Sequence, residues 1–116
     1  MSEAELRRLH DRLREVGAQA FAARQLEACC HALIGAAHLA NALGDEGLLN
    51  EAEADALSRL AWVDEHDPGH PLSSATAARR GIESHFVFAA RQVRAMRLGL
   101  RLAAASRKGG RQGPPR

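Results

Sequence analysis

The chain of 116 residues contains few of the residue types that favour β-strands. Tyrosine is absent, tryptophan occurs once, phenylalanine three times, and valine and isoleucine together six times. Strands are enriched in β-branched and aromatic residues, whereas the abundant alanine, leucine, arginine and glutamate favour helix. The composition therefore predicts an all-α protein, and a chain of this length can form one domain with its own core.

Cysteine is also scarce, and the only two, Cys29 and Cys30, are adjacent. Adjacent helical residues cannot reach disulfide geometry, and free thiols are typical of a reducing cytoplasm. The first residues contain no apolar segment of the kind found in a secretory signal. The longest apolar run, 28–43, includes two histidines and an asparagine and is too short and polar for a membrane span. We therefore expect a cytoplasmic protein that does not interact with membranes.

Caps and breaks divide the chain into about four amphipathic helices. A capping box at Ser2 predicts the start of helix 1, which we expect to end near Gly17. Helix 2 is predicted over about 19–43, helix 3 over 46–65, and helix 4 from Ser73 or Ser74 to about 106. Short connections between these helices predict an antiparallel up-down bundle over residues 1–106. The basic segment 107–116 is predicted to be a disordered tail.

Apolar side chains recur at helical spacing along each predicted helix, which marks the faces that pack inward. The predicted core includes Leu9, Leu13, Leu26, Leu33, Leu60, Ile82, Phe86, Val93 and Met96.

Acidic and basic side chains lie in different parts of the chain. Residues 76–116 contain ten basic side chains and one acid, a charge of +9, whereas residues 1–75 contain six basic side chains and thirteen acids, a charge of −7. Residues 27–75 alone contain nine acids and one base, a charge of −8. This complementarity favours contacts within the protein or between its subunits over contacts with nucleic acid.

Helix 4 is predicted to have a basic face and a second apolar line. The basic face consists of Arg79, Arg80, Arg91, Arg94, Arg97 and Arg101. Beyond it, Phe88, Ala95 and Leu102 recur every seven residues, and a helix with two apolar lines usually packs against two partners. We therefore expect a homodimer with these three residues in its interface. Trp62, on the side of helix 3 away from its core residues, is a further predicted interface residue.

The six histidines suggest a metal site, but their spacing does not support one. His31 and His38 lie about 10.5 Å apart along a helix, too far to share one ion. His66 and His70 flank a Pro-Gly turn and lack a third ligand. We therefore predict no metal ligands, no cofactor and no catalytic residues, with a histidine-lined metal site as an alternative.

The segment 80–85, Arg-Gly-Ile-Glu-Ser-His, resembles the R-x4-H motif of the HEPN family, small helical proteins that include ribonucleases. The resemblance covers six residues and implies a ribonuclease role for Arg80 and His85. Gly81 departs from the family pattern, in which a polar residue usually follows the arginine. On one regular helix the two side chains would also point about 140° apart, which is unfavourable for joint catalysis.

Taken together, these features predict a small helical interaction or scaffolding module that self-associates and has a possible protein partner. The first alternative is a nucleic-acid-binding accessory protein that uses the basic face and the basic tail. The second alternative is a histidine-lined metal site or a HEPN-like ribonuclease.

Overall fold

The computed structural model describes residues 1–111, which form five α-helices and no β-strand. The helices are α1 (Glu3–Ala22), α2 (Leu26–Leu43), α3 (Glu46–His66), α4 (Ser74–Arg79) and α5 (His85–Arg111). α2 lies at the centre and contacts α1, α3 and α5, while α3 also packs along α5. This arrangement confirms the predicted all-α antiparallel bundle, with a short extra helix, α4, before the last long one.

Side-chain caps begin three of the helices at the predicted positions. The side-chain oxygen of Ser2 accepts from the Glu5 amide, that of Asp45 from the Leu48 amide, and that of Ser73 from the Thr76 amide. Each bond satisfies an amide that has no partner within its own helix. The sequence therefore predicted the starts of α1, α3 and α4 correctly.

The predicted end of helix 1 at Gly17 is wrong, because α1 continues through this residue to Ala22. Gly17 is buried, and a methyl group added to it would lie 3.5 Å from the Ala32 side chain. Packing against α2 at this point outweighs the helix penalty of glycine, which is about 1 kcal/mol. Helix 2 consequently begins at Leu26 rather than near residue 19.

The connection between α1 and α2 is a left-handed turn at Arg24, with φ of 60°. The amide of Gln25 donates to the carbonyl of Ala20, and the amide of Arg24 donates to that of Phe21. These two bonds form the Schellman motif, in which glycine is the usual left-handed residue. Arginine at this position gives no signal in the sequence, which explains why the turn was not predicted.

The predicted fourth helix is interrupted at Gly81, and this corrects its extent, whereas Phe86, Ala89 and Val93 face the core as predicted. Gly81 has a φ of 68°, in the left-handed region that favours glycine, and it ends α4 in a Schellman motif. The buried hydroxyl of Ser84 then donates to the carbonyl of Leu72 at 2.6 Å, which fixes the start of α5. Ile82 lies in the turn between the helices and is exposed, so its predicted place in the core is wrong.

The core consists of two adjoining clusters along α2. One includes Leu33, Leu49 and Val93, and the other includes Leu60 and Phe86. Among the predicted core residues, Leu26, Leu33, Leu60, Phe86 and Val93 are buried, while Leu9, Leu13 and Met96 are half-buried.

The C-terminal part of α5 extends past the other helices. Every residue from 101 to 108 is exposed, and the helix continues to Arg111. It therefore includes residues 107–111 of the segment predicted as a tail, and residues 112–116 of that segment lie outside the described residues.

By length and mean hydropathy, α2 would be apolar enough to cross a membrane. In this structure α2 packs against α1, α3 and α5, which is the position of a core helix in a bundle.

Candidate interaction surface

α5 binds the acidic side of α3 through three of its arginines. Arg97 donates to Glu53 at 2.8 Å, Arg101 donates to Glu46 at 2.7 Å, and Arg94 also donates to Glu53. Arg101 comes after Arg97 in α5, but its partner Glu46 comes before Glu53 in α3, so the two helices are antiparallel. Two acids of α3 thus pair with three arginines of α5 within one molecule.

The pKa of Glu53 reflects this arrangement. Hydrogen bonds from Arg97, and then from Arg94, hold the pKa of its carboxyl group below the ordinary value, while burial acts in the opposite direction. The carboxylate is therefore the charged partner of two guanidinium groups at neutral pH.

α1 reaches the opposite side of α3 through two arginines. Arg14 donates to Glu51 at 3.1 Å and to Asp55 at 3.0 Å, and Arg7 donates to Asp45 at 3.1 Å. Arginines of α1 and α5 thus neutralise the acids of α3 from two sides. Exposed pairs of this kind contribute only about 0–1 kcal/mol each, so their main consequence is the alignment of the helices.

The six residues of the predicted basic face do not form one continuous surface. Arg79 and Arg80 belong to the end of α4, where Arg79 donates to the Thr76 hydroxyl, whereas the other four lie on α5. Arg91 donates to Glu83 at 2.6 Å, and the other three arginines on α5 make the pairs with α3 described above. Four of the six predicted basic-face arginines therefore have an acidic partner in the same chain.

The side of α5 that points away from the core carries apolar residues that its own chain does not cover. Phe88 is 46% exposed, Leu98 56% and Leu102 61%, and Ala95 between them is also exposed. Leu102 lies about 180° around the helix from buried Val93. We call Phe88, Ala95, Leu98 and Leu102 the outer face of α5. It contains the predicted apolar line together with Leu98, which was not predicted.

Leu98 was missed because the prediction followed a strict seven-residue repeat. Leu98 is three residues after Ala95 and four before Leu102, the alternating spacing that marks one side of a helix. A search for that spacing on both sides of α5 would have included it.

Trp62 packs within its own chain at one end of the bundle. The guanidinium carbon of Arg24 lies 3.9 Å from the centre of the indole, the His66 ring stacks on the indole at 4.6 Å, and the Phe21 ring meets it edge-on at 5.4 Å. Arg59 also lies over the Phe21 ring, at 4.9 Å. These contacts hold the α1–α2 turn against α3 and leave Trp62 half-buried.

A small cavity lies between α1, α2 and α3. It has about 20 Å³ of space for the centres of water-sized molecules, and its lining residues include the buried His10 and Cys29 and the half-buried Arg59. The His10 Nδ1 is 3.1 Å from a carboxylate oxygen of Asp11. A volume of this size fits about one water molecule, so the cavity is too small for an organic substrate.

The two cysteines are buried and free, and their environment favours the thiol form. Burial raises the pKa of the Cys30 thiol to about 12. Burial also raises the pKa of the Cys29 thiol, although the nearby Arg59 guanidinium acts against this shift. Since the thiolate is the reactive form of cysteine, this environment disfavours nucleophilic chemistry at either residue.

The other histidines are dispersed over the surface. His31 and His38 are exposed on α2, the ring nitrogen of His70 accepts from the Leu72 amide at 3.0 Å, and His66 stacks on Trp62. Among the residues that the structure describes, no three His, Cys, Asp or Glu side chains group in a way that could hold a metal ion.

The R-x4-H segment lies across the break between α4 and α5. Arg80 directly follows α4, His85 begins α5, and both are exposed. The divergence of about 140° expected on one regular helix therefore does not apply to this pair. No hydrogen bond joins the two side chains within the described part of the chain.

Comparisons with protein-family models, with curated proteins and with solved structures find no significant match to this chain. The function is therefore inferred from the surface and the charges of the protein itself.

Proposed function

We propose that this protein is a small helical interaction module that forms a homodimer through the outer face of α5. The observation that carries the proposal is the exposure of Phe88, Leu98 and Leu102 together on one side of one helix. Single exposed apolar residues are common, whereas a group of them on one side of a small protein marks a contact site. Burying this face on a second molecule removes apolar surface from water, which is the main driving force of association.

The ion pairs between α3 and α5 support a protein partner over a nucleic acid. The alternative of nucleic-acid binding requires arginines that are available to phosphates. Arg94, Arg97 and Arg101 instead donate to carboxylates of α3 in the same chain. Phosphates would have to displace these carboxylates, and the outer face of α5 would remain uncovered.

We further propose that the protein acts in the cytoplasm and apart from membranes. Two free, buried cysteines are consistent with a reducing compartment. The most apolar helix, α2, packs inside the bundle, which supports a role that does not require a lipid bilayer.

The proposal is tested by comparing Phe88→Glu with Ile82→Glu in the full-length chain. The two residues are 46% and 48% exposed, so each variant places a carboxylate at an equally accessible position, but Ile82 lies outside α5. We expect light scattering to show a dimer for the wild-type chain and for Ile82→Glu, and a monomer for Phe88→Glu.

Two outcomes would contradict the proposal. One is a wild-type chain that stays monomeric at high concentration, and the other is equal weakening by both substitutions. Binding of a short RNA or DNA duplex that survives Phe88→Glu and is lost in Arg91→Glu would instead favour the nucleic-acid alternative.

A further inference from the structure

Two large apolar side chains of the outer face of α5 are placed symmetrically about Ala95. Phe88 lies seven residues before Ala95 and Leu102 seven residues after it, and both are large, apolar and exposed. At four residues on either side lie Arg91, the longest side chain of this surface, and Gly99, which has none. A face with this pattern can fit a second copy of itself that runs in the opposite direction.

We propose that the outer face binds a second copy of this chain in antiparallel orientation, with a two-fold axis beside Ala95. This inference rests on the proposed self-association and adds its geometry. Phe88 then packs on the partner's Leu102, and Arg91 lies over the partner's Gly99. Both copies use the same residues, as a closed two-fold dimer requires.

The shape of α5 at its middle permits this contact. Ala95 has the smallest side chain after glycine, and a Cβ atom added to Gly99 would meet no atom within 4 Å. Helices that cross at small residues approach to axis distances of about 8 Å. The aliphatic part of Arg91 can then lie in the space beside the partner's Gly99 while its guanidinium group stays with Glu83.

Charge favours the antiparallel over the parallel arrangement. A parallel pair places Arg91 beside the same residue of the other copy, and it places Arg107 and Lys108 of both copies together. An antiparallel pair separates the two Lys108 residues by about 39 Å along the helix axes. This distance is several times the screening length of about 8 Å at physiological salt, so the two helix ends no longer repel each other.

The antiparallel copy also covers a part of α5 that its own chain leaves bare. Residues 101–108 are exposed on all sides, and an isolated helical segment of this length is marginal in water. In the proposed dimer this segment lies beside the start of the partner's α5. The contact from Phe88 to Leu102 is only about 21 Å long, so we expect a weak dimer that dissociates on dilution.

Single cysteine substitutions test the orientation in the full-length chain under mild oxidation. Cys29 and Cys30 are buried, so the wild-type chain serves as the control for background reaction. Ala95→Cys should form a disulfide-linked dimer, because the two copies of residue 95 meet at the axis. Leu102→Cys should not, because its two copies lie about 21 Å apart. A mixture of Phe88→Cys and Leu102→Cys should form the mixed disulfide.

A charge exchange tests the same pairing without oxidation. Phe88→Glu and Leu102→Lys should each weaken the dimer about tenfold or more, because each places a charge where two large apolar side chains pack together. The chain with both substitutions should dimerise more tightly than either single variant, because each introduced carboxylate meets an introduced ammonium group of the partner. In a parallel dimer the like charges would meet, and the double variant would be the weakest.

The outcomes distinguish a wrong orientation of the two helices from a failure of the chain to self-associate. Linking of Leu102→Cys to itself, or a double variant weaker than both single ones, overturns the antiparallel pairing and leaves self-association standing. A wild-type chain that remains monomeric, with no cysteine variant linked above the control, overturns both.

Discussion

Arg97 of α5 and Glu53 of α3 form the most buried ion pair between these two helices, with the Nη1 and Oε1 atoms 2.8 Å apart. Glu53 also accepts from Arg94, and Arg97 also donates to the side chain of Asn50 at 2.7 Å. The pair joins the acidic middle of the chain to its basic C-terminal part. The uneven charge of the sequence is therefore satisfied, at this contact, within a single molecule.

We expect the stability of the protein to decrease in acid. The pKa of Glu53 lies below its ordinary value of 4.5 because of the bonds from Arg97 and Arg94. A carboxyl group with a lower pKa in the folded state stabilises it above the unfolded pKa, and this stability is lost as the pH falls through the folded pKa. The free energy of unfolding, measured by urea titration, should therefore fall as the pH decreases below about 4.5.

Glu53→Gln should cost about 1 kcal/mol at neutral pH and make the stability less dependent on pH in acid. Glu51→Gln is the matched control, because its side chain is 54% exposed and it bonds Arg14 at the surface. The control should cost about 0.5 kcal/mol or less. Equal costs for the two variants would contradict the importance of the part-buried pair of Glu53 and Arg97.

Phe86→Ala should destabilise the fold by about 3–5 kcal/mol, because this ring is completely buried. Phe88→Ala, two residues away on the same helix, should change the stability of the dilute monomer by only about 0.5 kcal/mol. Chemical denaturation of both variants at low concentration measures the difference. A similar loss at both positions would show that the register of α5 is incorrect.

Gly17→Ala should stabilise the protein by up to about 1 kcal/mol, because alanine favours helix over glycine. The added methyl group would lie 3.5 Å from the Ala32 side chain, an ordinary contact. Gly17→Leu should destabilise the protein, since α1 and α2 would have to separate. Thermal unfolding of the two variants checks both signs, and a destabilising alanine would mean that α1 and α2 pack more tightly here than the structure shows.

The thiols of Cys29 and Cys30 should react slowly with a disulfide reagent in the folded protein. Both are buried, and burial raises the pKa of both thiols. In denaturant both should react at the rate of a free cysteine. A thiol that reacts at that rate in the native protein would contradict the burial.

The sequence predicts those parts of the fold that depend on neighbouring residues. Ser2, Asp45 and Ser73 begin helices as predicted, since each bonds an amide three residues away. The end of α1 was missed because Gly17 packs against α2 and the closing turn has arginine, Arg24, at its left-handed position. The break at Gly81 was missed although glycine is the usual residue of such a turn. Ser84, whose hydroxyl bonds the Leu72 carbonyl, was nevertheless a visible signal for a new helix start after Gly81.

In the candidate interaction surface, too, the features that depend on local spacing were predicted, and those that depend on helix packing were not. The exposure of Phe88, Ala95 and Leu102 agrees with the apolar line that the spacing predicts. The sequence suggested that the arginines meet acids of the middle segment but not which ones, because that depends on the packing of α3 against α5. The packing of Trp62 against Arg24 depends on the α1–α2 turn and could not be predicted from the spacing on α3.

Sedimentation equilibrium of the full-length chain over a range of concentrations tests the central proposal most directly. The subunit mass is 12.5 kDa, so self-association predicts a mass that rises toward twice this value as the concentration increases. The Phe88→Glu chain should keep the subunit mass over the same range. A wild-type chain that also keeps the subunit mass at every concentration would contradict the proposal.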